Sequence, residues 1–80
     1  MEYKEVGERI ALLRTQNHYT REAFAGQIMI SPKFLYEIET GKKGFSIKTL
    51  YNISKALSVS CDYLIYGEDT RKDIGNDIAQ

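Results

Sequence analysis

Apolar residues along this chain recur at helical spacing in five stretches, and four of those stretches open on a serine or threonine. Val6, Ile10 and Leu13 fall three and four positions apart and predict a first helix from about Glu5 to Asn17. Phe24, Ala25 and Ile28 mark a second behind Thr20. Phe34, Leu35 and Ile38 mark a third behind Ser31, stopping at Gly41. A fourth runs from Ser46 to Leu57 and turns Leu50, Ile53, Ala56 and Leu57 inward. A short fifth, Ser60 to about Tyr66, presents Leu64 and Ile65 and stops at Gly67. Each hydroxyl residue stands at an N-cap with an apolar residue just before it and another at N4. The pairs are Tyr19 with Phe24, Ile30 with Leu35, Phe45 with Leu50 and Val59 with Leu64. Such a hydrophobic staple fixes the angle at which the chain enters a helix. No segment alternates with period two, so no strand is expected. The pattern predicts an all-α domain of five helices.

The window from Thr20 to Gly41 carries the most information. Glu22 lies in the first turn of the second helix, where the dipole favours a carboxylate. Met29 and Ile30 leave room only for a sharp corner before Ser31-Pro32 restarts a helix with proline at N1, where its missing N–H costs nothing. Two helices joined by three or four residues form a helix-turn-helix, whose second helix can enter a DNA major groove. On a helical wheel Phe34, Leu35 and Ile38 cluster on one side of that helix, while Lys33, Tyr36, Glu37 and Thr40 occupy the other. Lysine can donate to guanine, glutamate can accept from cytosine, and tyrosine can touch a thymine methyl or a phosphate. Pro32 offers apolar contact and a preorganised helix start. The competing use of Lys33 and Glu37 is a surface pair one turn apart, worth a few tenths of a kcal/mol. Both uses are compatible, with the pair formed in the free protein and redirected on DNA.

Charge sharpens this picture. The 80 residues sum to zero, which alone argues against a nucleic-acid binder, but the charges are segregated. Residues 14–55 hold seven lysines and arginines against three acids, whereas residues 56–80 hold two against five. The basic excess therefore sits over the helix-turn-helix and the loop behind it. No apolar run approaches the roughly 20 residues of a membrane span, and the N-terminus lacks a signal-peptide core. A single domain over residues 1–67, cytoplasmic and not membrane-bound, is the expectation, with 68–80 a polar tail. Ile74 and Ile78 lie four apart in that tail, which is either disordered or a marginal helix folding onto a second subunit. Catalysis has little to stand on. His18 and Cys61 are the chain's lone histidine and cysteine, so no metal set can be built from them and no cofactor is expected. His18 reads as a turn residue and Cys61 as a small buried hydrophobe.

The segments VGERIALLR, YTREAFAGQIMISPKFLYEIETGKK, SIKTLYNISKALSVS and DYLIYGE together resemble the Cro/repressor-type (Xre-like) helix-turn-helix family, from Val6 to about Gly67. The resemblance implies a lambda-repressor-like five-helix domain that regulates transcription, with repression the first expectation. It also implies a homodimer bound to a palindromic double-stranded operator. Residue by residue, Pro32, Lys33, Tyr36, Glu37 and Thr40 would read bases. Thr20, Arg21, Lys42, Lys43, Ser46 and Lys48 would hold phosphates. Arg21 replaces the family's usual glutamine and keeps the phosphate contact. Ala25 matches the small residue that lets the two motif helices cross closely, and Glu39 matches an acid that pairs with Arg14. His18, Met29 and Ser58 occupy positions where the family commonly has glycine. They predict strained left-handed residues or altered turns, Met29 above all. Members of the family also serve as antitoxins or adaptors, so a protein partner is the alternative. Ala11, Leu12, Tyr51 and Tyr66 are the candidates for that surface or for a dimer seam.

Overall fold

The computed structural model describes residues 1–68, and within them the chain forms five helices and no strand. They are α1 (Tyr3–Gln16), α2 (Arg21–Gln27), α3 (Pro32–Glu39), α4 (Ile47–Leu57) and α5 (Cys61–Tyr66). The tail expectation falls outside the described residues from position 69 onward.

All four hydroxyl caps form. Thr20, Ser31, Ser46 and Ser60 accept from the backbone N–H groups of Ala23, Phe34, Thr49 and Tyr63, at 3.0–3.1 Å. Helix α1 departs from expectation by starting two residues early, at Tyr3, with Glu2 in the cap position and no side-chain cap bond. A tertiary contact supplies what the cap does not: the Tyr3 ring packs edge-on against Phe45, centroids 5.2 Å apart.

His18, Met29 and Ser58 resolve in favour of left-handed residues, with φ of 63°, 62° and 57°. The turns themselves are unaltered. In each, the left-handed residue donates to the carbonyl three back, and the next residue donates to the carbonyl five back. The latter bonds are Tyr19 to Arg14, Ile30 to Ala25 and Val59 to Ser54, at 3.0–3.1 Å. This is the double closure normally built around glycine. The same Tyr19, Ile30 and Val59 pack against the core just before the next cap, so one apolar residue ends one helix and aims the following one. Met29 is no deviation; it bears the same strain as the other two.

The core gathers Val6, Ile10, Phe24, Ala25, Leu35, Ile38, Ile53 and Leu64, all with no solvent exposure. Helix α1 is the hub, packing on α3, α4 and α5, while α2 packs on α3. Leu13, expected to face inward, is only half-buried, and the interior position beside it belongs to Arg14. Gly7 is buried where α1 crosses α3: a Cβ there would overlap the backbone carbonyls of Ile38 and Glu39. That close approach sets the height of α3 on its scaffold. Cys61 is half-buried rather than fully buried, its Sγ 3.5 Å from Ser54 Oγ.

Candidate nucleic-acid interface

Helix α3 divides as its wheel predicts. Phe34, Leu35, Ile38 and Glu39 turn into the protein, and Pro32, Lys33, Tyr36 and Thr40 are exposed along the opposite side. Glu37 is the exception among the reading candidates. Its side chain is only 18% exposed and lies 3.4 Å from Lys43 Nζ. The surface partner of Glu37 is therefore Lys43, in the loop, and not Lys33. The physical reason is the turn at Gly41 (φ 75°), which folds the loop back so that Lys42 and Lys43 both donate their N–H groups to the Glu37 carbonyl, at 2.9 and 3.2 Å. Lys33 is left free to project from the first turn of α3. Thr40 closes the ridge, and its hydroxyl donates to the Tyr36 carbonyl at 2.8 Å, which leaves the oxygen as an acceptor.

Beneath this ridge lies a buried ionic cluster. Arg14 meets Glu39 in a two-pronged pair, Nε to Oε2 at 2.6 Å and Nη2 to Oε1 at 3.1 Å, and its Nη1 donates to the Tyr19 carbonyl at 2.8 Å. The expected Arg14–Glu39 pair is thus present, and Arg21 joins it from α2, Nε to Oε1 at 3.1 Å. The glutamate side chain is 2% exposed and Arg14 9%, so the pair is desolvated and each charge depends on the other. Two arginines against one carboxylate leave one positive charge over, and it sits on the more exposed Arg21, 37% accessible. Sequence reasoning gave Arg21 a phosphate role and missed its second hold on α3. The signal was there: Glu39 ends the helix that α2 crosses, and an arginine opens α2.

The remaining cations flank the ridge. Lys42, Lys43 and Lys48 are exposed in the loop and first turn of α4. The cap hydroxyls are partly committed: Ser46 Oγ accepts from Thr49 N–H and lies 3.1 Å from Thr49 Oγ1, so the free N–H groups opening α4 are its main offering to an anion. At the α2 entry Thr20 is exposed, with N–H groups of the first turn behind it. One exposed apolar residue, Ile47 at 86% accessible, stands between Ser46 and Lys48 and escaped the sequence reading. Ile47 was legible as an apolar residue off the stripe of Leu50, Ile53 and Leu57.

Catalytic alternatives gain nothing from the geometry. His18 is exposed in the α1–α2 turn while Cys61 begins α5. Among the described residues no group of three or more His, Cys, Asp or Glu could hold a metal, and no helix is long and apolar enough to cross a membrane.

Comparison with known proteins agrees with this geometry. A family model described as a helix-turn-helix domain matches residues 7–70. The HTH-type transcriptional activator BcrR of Enterococcus faecalis is 35% identical over 65 residues, covering 81% of this chain and 32% of that protein. The SPbeta prophage-derived HTH-type transcriptional regulator YonR of Bacillus subtilis is 32% identical over 68 residues, covering 85% of this chain and 63% of YonR. The chain thus spans from about a third to under two thirds of the length of these relatives. Among solved structures, the P22 c2 repressor, crystallised with a synthetic operator, superposes with a TM-score of 0.75 at 28% identity, covering 79% of this chain and 96% of that one. The chain belongs to the helix-turn-helix domain family, and the relatives it matches are named as transcription regulators.

Proposed function

We propose that the chain binds double-stranded DNA sequence-specifically as a homodimer on a palindromic operator in the cytoplasm, and regulates transcription there. The observation that carries this reading is the outward ridge of α3: Lys33, Tyr36 and Thr40 stand exposed on a helix whose inner face is buried, with cations on both flanks. In this reading α3 enters the major groove, with Pro32, Lys33, Tyr36 and Thr40 at base edges. Glu37 reaches a base only by giving up Lys43. Arg21, Lys42, Lys43 and Lys48 hold phosphates, assisted by N–H groups opening α2 behind Thr20 and α4 behind Ser46. BcrR is named an activator and P22 c2 a repressor, so the same domain serves either outcome. Repression by occupying a promoter is the simpler, because it asks nothing of the bound protein beyond its footprint.

The electrostatic half of this reading has a quantitative signature. With four cationic side chains per subunit on phosphate, a dimer displaces the counterions of about eight phosphates, and log K falls against log salt with a slope of about −7. Titrating binding to an upstream duplex between low and moderate salt measures it; a slope near zero would remove phosphate anchoring from the account.

A protein-interaction role is the second reading, favoured by apolar side chains exposed away from the ridge, Leu12 at 57%, Tyr51 at 53% and Tyr66 at 64%. Pulldown without DNA, set beside a mobility-shift assay on upstream DNA, separates the two.

A further inference from the structure

The closure of α3 differs from those of α1, α2 and α4 in one residue. After His18, Met29 and Ser58 the next residue is apolar and packs inward; after Gly41 it is Lys42. Its backbone is fixed by the 2.9 Å bond from its N–H to the Glu37 carbonyl, and its ammonium stands 5.2 Å from the centroid of the Tyr36 ring. A second cation reaches the same ring from α2, the Arg21 guanidinium carbon at 5.3 Å. Arg21 is itself held by Glu39, and Glu39 by Arg14.

An exposed tyrosine on a helix ordinarily exchanges rotamers, and a contact that needs one of them must overcome that freedom. Tyr36 is 42% exposed, yet two cations attract its π surface from anchored positions. They compete with any base for that surface, which disfavours stacking and leaves the ring edge and hydroxyl as what DNA meets. In a major groove, an apolar edge beside base edges matches the methyl group on C5 of a pyrimidine.

We propose that Tyr36 reads a 5-methylpyrimidine, thymine or cytosine methylated at C5, and that Lys42, a loop residue outside the recognition helix, is a positioning residue for it. This rests on the DNA-binding reading above. It separates two neighbouring lysines: Lys42 faces the tyrosine ring, whereas Lys43 is occupied by Glu37 at 3.4 Å. Replacing Lys43 weakens all DNA alike. Replacing Lys42 weakens all DNA and also blurs one base position.

The test uses the full chain and duplexes carrying a site recovered by selection, with anisotropy as the readout. Each thymine is exchanged for uracil and each cytosine for 5-methylcytosine, one position at a time, so that only a methyl group changes. One position per half-site loses about fourfold in affinity without its methyl, the worth of one buried carbon. Tyr36→Phe keeps that ratio and Tyr36→Ala brings it to one. Lys42→Met lowers it toward one, while Lys43→Met leaves it intact; unchanged melting curves show that every variant is folded. A ratio that survives in Lys42→Met overturns the positioning role, and the absence of any methyl-sensitive position in the unaltered protein overturns the methyl reading. Failure to bind any duplex would instead overturn DNA binding itself, and this proposal with it.

Discussion

Single residues hold the interface in place, and two of them show opposite balances of strain and support. Glu39 accepts from Arg14 and Arg21 while 4% exposed, so it ties three helices through one carboxylate. Glu39→Gln leaves Arg14 buried without a counter-charge and should cost about 3–5 kcal/mol in denaturant unfolding. A loss under 1 kcal/mol would show that the cluster is not structurally important. Met29 carries the reverse situation: its φ of 62° is unfavourable for a side chain, and that side chain, 90% exposed, gains little from burial. Met29→Gly should therefore stabilise by about 0.5–1 kcal/mol, the relief of left-handed strain less the extra freedom glycine has when unfolded. A lower melting temperature in that variant would mean that Met29 makes contacts outweighing its strain. The strain was legible, since glycine positions filled by other residues announce it. The third member of the ionic cluster was legible only in part: an arginine opens α2 and an acid ends the helix it crosses, but only the tertiary fold brings Arg21 Nε to 3.1 Å from Glu39 Oε1.

At the scale of elements, local chemistry was readable wherever the chain satisfies itself within a few residues. The four caps and the staples behind them are such cases, because a hydroxyl and an apolar neighbour act over one turn. Ser31→Ala removes the oxygen that accepts from Phe34 N–H and should cost about 1 kcal/mol, read as a lower denaturant midpoint with an unchanged slope. No change in midpoint would mean that proline at N1 alone starts α3. Where an element depends on a distant partner, the pattern was silent. The start of α1 at Tyr3 comes from Phe45, 42 positions away, and the depth of the α1–α3 crossing comes from Gly7 meeting the carbonyls of Ile38 and Glu39. Glu37 was drawn toward Lys33 by the one-turn rule, but the fold of the loop at Gly41 offered Lys43 instead.

For the molecule as a whole, the zero net charge conceals a segregation that the fold turns into a surface. Cations from α2, the loop and α4 come to flank α3, while both acids within α3 are paired, Glu39 inside with Arg14 and Arg21 and Glu37 with Lys43. The candidate ridge was readable because helix periodicity places Lys33, Tyr36 and Thr40 together; which cation supports which reader required the tertiary fold. In the proposed function this ridge reads bases in a major groove. The most direct test of that reading is selection of bound sites from random duplex DNA by the unaltered chain and by Lys33→Ala. The expected result is a two-fold symmetric site with half-sites about one helical turn apart, and a loss of preference confined to one position per half-site in the variant. Recovery of unenriched random sequence by the unaltered chain, or an identical site from both proteins, would contradict it.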